Sequence, residues 1–202
     1  MTPSSTVALG CAVHSGWAVV VGGARVEGRF RVLLRERIEM VDPRDPGAKQ
    51  PYHTVEDVAI EEAGRRLAEC ALSAGRMAGG GMGRIVANLA ARGYRTVGIG
   101  ILQSSGRKGS SLAATLASHA LIHTADGDHF RQALAGAAAG LGLPVVEVPL
   151  RDLDALAAEG TGESIEDLHL ALKEGGREVG PPWGADQKAA ALMALVVLSS
   201  TV

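Results

Sequence analysis

Aromatic side chains are nearly absent from this chain: two Trp, two Tyr and two Phe make up 3% of its 202 residues. A surface that captures bases by stacking them on rings has little to build from here. Cysteine is as scarce. Cys11 and Cys70 have no metal-type spacing and form no disulfide framework, so both read as buried thiols of a reducing compartment. No apolar run approaches the about 18 residues that a membrane span needs. Residues 1–21 lack a basic leading segment, and His14, Ser15 and Gly16 interrupt their apolar run, so they make a poor signal peptide. The cytoplasm is the expected location, with no membrane partner. An excess of charge of either sign is also missing: 20 Lys and Arg face 22 Asp and Glu, a net charge of −2. Nucleic acid would need a local basic patch and is not the favoured partner. Between Arg25 and Glu39 five Arg face Glu27, Glu36 and Glu39, a local net of +2 with no aromatic interleaved on the arginine face, which reads as a solvated or helix-paired surface.

What is present is Ala, Val, Leu and 27 Gly, with 47% hydrophobic and 21% charged residues, ordinary for a globule. The length suits a single domain, residues 1–202, with 151–184 as an insertion or connector before a last helix. Residues 7–13 and 17–21 are apolar runs joined by a His14-Ser15-Gly16 hairpin, and Gly22-Gly23 predicts a further turn. Residues 29–41 alternate, with Phe30, Val32, Leu34 and Ile38 on one strand face and Arg29, Arg31, Arg35 and Arg37 on the other. After a Pro-rich loop at 42–51, a helix is predicted over 54–74 with Thr54 as N-cap; it is interrupted at 79–83 and resumes over 84–92. Strands follow at 96–102 and 145–148, a helical pattern fills 112–140, and an apolar helix closes the chain at 185–198.

The stretch 112–130 holds the best clue to a site. At about 100° per residue, Leu112, Leu116, His119, His123, Asp126 and Phe130 share a stripe roughly 80° wide. The pattern predicts one helix, with a break near Asp126-Gly127, that turns His119, His123 and Asp126 into the molecule or the floor of a cleft. Two imidazoles and a carboxylate at this spacing suit a divalent metal (zinc, iron, manganese or magnesium) with positions left for water. The spacing is similar to the helix of zinc proteases, but Ala120 stands where their general-base glutamate would be, which speaks against peptide hydrolysis. The competing expectation is that both histidines are satisfied core residues and that Asp126 caps a helix starting at Gly127.

The element order, three strands and then alternating helices and strands, predicts an α/β mixed sheet covered on both faces. In this order the chain resembles the ribonuclease H-like superfamily, which includes RuvC-type resolvases, over roughly residues 7–150 and 185–198. The short motifs His14-Ser15-Gly16-Trp17, Gln50-Pro51-Tyr52-His53, Ser118-His119 with His123 and Asp126-Gly127, and Pro181-Pro182-Trp183 with Asp186-Gln187-Lys188 also look like those of a bacterial family of about this length. The superfamily resemblance implies acids on the first strand, the fourth strand and the last helix holding two magnesium ions. Here Cys11 or Ala12 and then Gln103 occupy the first two positions, and only Asp186 matches in type.

The expected cleft is therefore lined by His14, His119, His123, Asp126 and Asp186, with Lys188 or Arg131 steadying negative charge. Ser15, His53, Arg107, Lys108 and Arg131 are the substrate-side candidates, because the loop 106–111 offers backbone donors and cations to an anion. The leading expectation is a hydrolase acting on a small phosphorylated or nucleotide-like substrate. A catalytically inactive binding or assembly module is the alternative, with helix 185–198 buried against a partner such as a second copy; a RuvC-like nuclease comes third.

Overall fold

Five strands form one mixed sheet in the computed structural model, which describes residues 5–45 and 47–200. Residues 1–4 of the stretch weighed as a leader and Pro46 of the 42–51 loop lie outside the described residues. The strands are β1 (Ser5–His14), β2 (Trp17–Val26), β3 (Arg29–Glu39), β4 (Tyr94–Gln103) and β5 (Val145–Pro149), in the order β3-β2-β1-β4-β5. The first three make an antiparallel meander, while β4 and β5 add parallel to β1. The helices are α1 (Ile60–Ala91), α2 (Leu112–Leu116), α3 (His119–Gly140), α4 (Leu153–Thr161), α5 (Ile165–Val179) and α6 (Ala185–Ser200). On one face α1 and α3 bury Met82, Leu89, Phe130 and Leu134 against Leu9 and Ile101. On the other, α4, α5 and α6 pack Leu153, Leu168 and Met193 against Ala8 and Val19.

The strands carry glycine where α6 crosses them. A methyl on Gly10 would lie 1.8 Å from the Ala190 carbonyl oxygen, and one on Gly100 would meet Met193. Helix backbone thus rests almost directly on strand backbone, and every residue from Ala190 to Leu198 is buried. This leaves α6 no apolar face for a partner chain, which overturns the expectation that residues 185–198 mediate assembly. Its first turn is delivered to the carboxyl end of β1.

Several local expectations give way to tertiary packing. Gly22-Gly23 is not a turn: β2 runs on to Val26, and the reversal comes at Glu27-Gly28, both with positive φ. The register shifts there, with Gly22 opposite Leu34 and Gly23 opposite Val32, so Leu33 is an extra residue. The bulge splits the apolar face of β3 between the two cores: Phe30 and Val32 join α6, and Leu34 and Ile38 join α1. The arginine face is correspondingly broken up. Arg35 donates to the carbonyls of Gly180 and Pro182, and Arg37 lies over the Trp17 ring and pairs with Glu39.

Helix α1 begins at Ile60, and Thr54 sits instead in a short 3-10 turn, donating to the Pro51 carbonyl. The glycines at 79–83 do not interrupt it. Ala74, Ala78, Met82, Ile85 and Leu89 form one buried stripe that carries the helix through. Gly81 is required by contact, since a methyl there would sit 2.7 Å from Ile38. The helical pattern of 112–140 does break, but at Ala117-Ser118 and not at Asp126-Gly127. Ser111 caps α2 by accepting from the Ala114 amide, and Ser118 in an extended conformation starts α3.

Candidate metal centre

The site starts from a buried carboxylate. Asp126, 2% exposed, lies within the second turn of α3 and caps nothing on its own helix. It reaches across to the segment between β3 and α1, where it accepts the Tyr52 amide at 2.7 Å and His53 Nδ1 at 2.5 Å. Val55, buried beside them, anchors the same turn in a small apolar cluster with Leu67 and Leu112. With Nδ1–H committed to the carboxylate, His53 is left to offer Nε2.

His119 and His123 come from the first turns of α3, one turn apart, with their Nε2 atoms 3.0 Å from each other. The His53 ring lies across them, 4.5 Å from the His123 ring and 5.3 Å from the His119 ring between centroids. One nitrogen from each of the three falls within 4.8 Å of the others. Tetrahedral zinc with nitrogens at about 2.05 Å separates its ligand atoms by about 3.3 Å, against 3.0 Å between His119 and His123 Nε2 and no more than 4.8 Å across the set. The three nitrogens suit a borderline ion such as zinc better than magnesium, which prefers oxygen. Asp126, expected beside His119 and His123 as a ligand, stands behind His53, and it is a nitrogen of His53, expected on the substrate side, that lies with theirs. His119 and His123 are exposed rather than buried, because the kink at Ser118 starts α3 at the rim of the fold.

His14 does not join them. It ends β1, stacks on Trp17 with ring centroids 4.2 Å apart, and holds Asp186 of α6 at 3.0 Å through Nε2. Among the described residues this pair makes no hydrogen bond, ion pair or ring contact with the three histidines, so the single expected cleft is two clusters. Ser15 is exposed in the hairpin turn, and Lys188 is exposed with no carboxylate partner among the described residues. The magnesium site that the superfamily resemblance implies does not fit these residues. Ala12 is buried beside α6, Cys11 faces the opposite core with burial pushing its thiol far up, and Gln103 donates to Glu147.

The cations expected to steady an anion lie on the far side of α3. At about 100° per residue Asp128 is about 180° from His119, and it is Asp128 that Arg131 and Lys108 face, at 3.4 and 3.6 Å. Arg131 also donates to the Leu102 carbonyl. Arg107 is exposed in the loop after β4. Between the two sides sits His129, whose pKa burial pushes below its usual value against the pull of Asp126 and a hydrogen bond to the Cys70 backbone. Burial, with Asp126 and Asp128 nearby, raises the Tyr52 hydroxyl above its ordinary value.

No family model matches the sequence and no curated protein matches it, so the four short motifs find no support there. Solved structures do resemble it. The Thermus thermophilus RuvC structure aligns over 96% of this chain and 95% of its own, with a TM-score of 0.53 and 14% identity. The same organism's RuvC in complex with Holliday junction substrate aligns over 97% and 94%, with a TM-score of 0.53 and 15% identity. The chain therefore has the ribonuclease H-like fold, a mixed sheet with helices on both faces as in RuvC, at an identity that carries over the architecture and no residue's role.

Proposed function

We propose that this protein is a metal-dependent hydrolase in which His53, His119 and His123 hold one transition-metal ion, zinc in the simplest case, and that its substrate is a phosphate ester of a small or nucleotide-like molecule. One observation carries the proposal: three imidazole nitrogens converge within 4.8 Å, one of them on a ring oriented by a buried carboxylate. Asp126 fixes the tautomer and the orientation of the His53 ring, as second-layer carboxylates do for ligating histidines. Three neutral ligands leave the ion's charge intact and a fourth position open, and such an ion supplies Lewis acidity toward water and ester oxygens. His119 and His123, exposed at the start of α3, make that position accessible to a substrate. The phosphate ester is carried over by analogy of fold from RuvC, captured with a Holliday junction substrate.

Titration of the purified chain with zinc, manganese and iron against a chromophoric chelator tests this. Saturable one-to-one uptake lost in both His119→Ala and His123→Ala, with metal-dependent cleavage of bis(p-nitrophenyl) phosphate, is the expected result. Absence of uptake refutes it and leaves the second reading, a binding module without catalysis, which the apolar Ala12 and amide Gln103 favour.

A further inference from the structure

On the opposite side of α3 from the histidines, two hollows meet at one carboxylate. The first, of about 260 Å³, is walled by Tyr52, Leu112, Leu121, Thr124 and His129. The second, of about 180 Å³, is walled by Gln103, Ser104, Arg131 and Glu147 at the carboxyl ends of β4 and β5. They share Lys108, Asp128 and Gln132, and so form one bipartite cleft at the strand ends where open α/β sheets bind ligands.

Asp128 is the unusual wall. It is 9% exposed, yet its cations stand off at 3.4 Å (Arg131) and 3.6 Å (Lys108). Charge-assisted N–H···O bonds close to about 2.7–2.9 Å, and the neighbouring Asp126 holds its two partners at 2.7 and 2.5 Å. Among the described residues Asp128 accepts a single long hydrogen bond, from Arg131 Nη1, and a nearly buried carboxylate held this loosely favours a ligand that brings a closer donor. The Lys108 side chain, 76% exposed on the loop after β4, can swing out of the way. Arg131 cannot, because its Nε is fixed to the Leu102 carbonyl. The larger hollow offers a chemically matched body: the faces of Tyr52, Leu112 and Leu121, and Thr115 and Thr124 hydroxyls already spent on main-chain carbonyls.

We propose that this cleft binds a small organic cation, a primary ammonium or guanidinium on a short apolar body, with Asp128 receiving the cation and Lys108 occupying its place when the ligand is absent. The ligand's ammonium displaces that of Lys108, and its alkyl part lies along Leu112 and Leu121. This site is separate from the metal centre and does not depend on it.

The test is calorimetric titration of the full chain with butylammonium chloride, sodium butyrate and inorganic phosphate, with amide proton–nitrogen correlation spectra to locate the effect. Butylammonium is expected to bind in preference to both anions and to shift the amides of Lys108, Asp128 and Gln132. Asp128→Asn should weaken it by about 10- to 100-fold, the loss of a charge-assisted bond at a desolvated site. Lys108→Ala should tighten it by about two- to fivefold, since an exposed internal competitor is removed. Preferential binding of butyrate or phosphate, weaker butylammonium binding in Lys108→Ala, or unmoved cleft amides overturns the proposal. Should Asp128→Asn fail to fold, the direction of the Lys108→Ala effect decides it.

Discussion

Replacing Asp126 by Asn separates the roles of shape and charge at the heart of the metal centre. The two side chains have nearly the same volume, so no cavity opens. The Asn carbonyl can still accept the Tyr52 amide, which Asp126 holds at 2.7 Å. The amide nitrogen then faces His53 Nδ1, where the carboxylate oxygen stood at 2.5 Å. Two N–H groups cannot face each other, so His53 must carry its hydrogen on Nε2, the atom needed for the metal. One charge-assisted bond at a residue 2% exposed is lost and a neutral one takes its place, a destabilisation of about 1–2 kcal/mol. In a chain of 202 residues this lowers Tm by about 2–4 °C per kcal/mol. Zinc affinity falls by about 10- to 100-fold, the usual effect of removing a histidine's second-layer partner. Chelator competition measures the affinity, calorimetry the Tm, and long-range proton–nitrogen NMR reads the His53 tautomer. Unchanged zinc affinity in Asp126→Asn, alongside abolished affinity in His119→Ala, would refute the assignment of His53 as a ligand positioned by Asp126.

Other measurements address the frame around the site. Gly10→Ala drives a methyl to 1.8 Å from the Ala190 carbonyl, a main-chain atom that cannot rotate away, and should cost about 3 kcal/mol or more in urea unfolding. Gly75→Ala, whose methyl would meet no atom within 4 Å beyond the adjacent backbone of its own helix, should instead stabilise by about 0.5–1 kcal/mol. Because burial holds the folded pKa of His129 below the ordinary 6.5, the unfolded chain takes up that proton first as pH falls. Its contribution to stability is complete above 6.5 and is lost as pH falls through the folded value, so unfolding midpoints of His129→Gln should depend less steeply on pH below 6.5 than those of the parent. The His14–Asp186 pair is about two-fifths exposed on both sides, so Asp186→Asn should change stability by less than about 1 kcal/mol.

Periodicity and punctuation in the sequence were enough to determine the architecture. Strand patterns at 7–13, 17–21, 29–41, 96–102 and 145–148, separated by helical ones, specify a meander followed by parallel additions, because alternation and a 3.6-residue period each bury a face in only one way. The partnership of His119 and His123 was equally legible, since one helical turn separates them. Tertiary structure alone decided the rest. The role of Gly10 and Gly100 shows only once α6 is seen lying against them, and the glycines at 79–83 look like a break until the stripe from Ala74 to Leu89 is seen packed. Leu33 turns one apolar face into two because register belongs to a strand pair and not to a strand. His53 stands 66 positions before His119, and no local rule links them. It enters the centre because a buried acid on α3 found its hydrogen-bond donors in a distant turn.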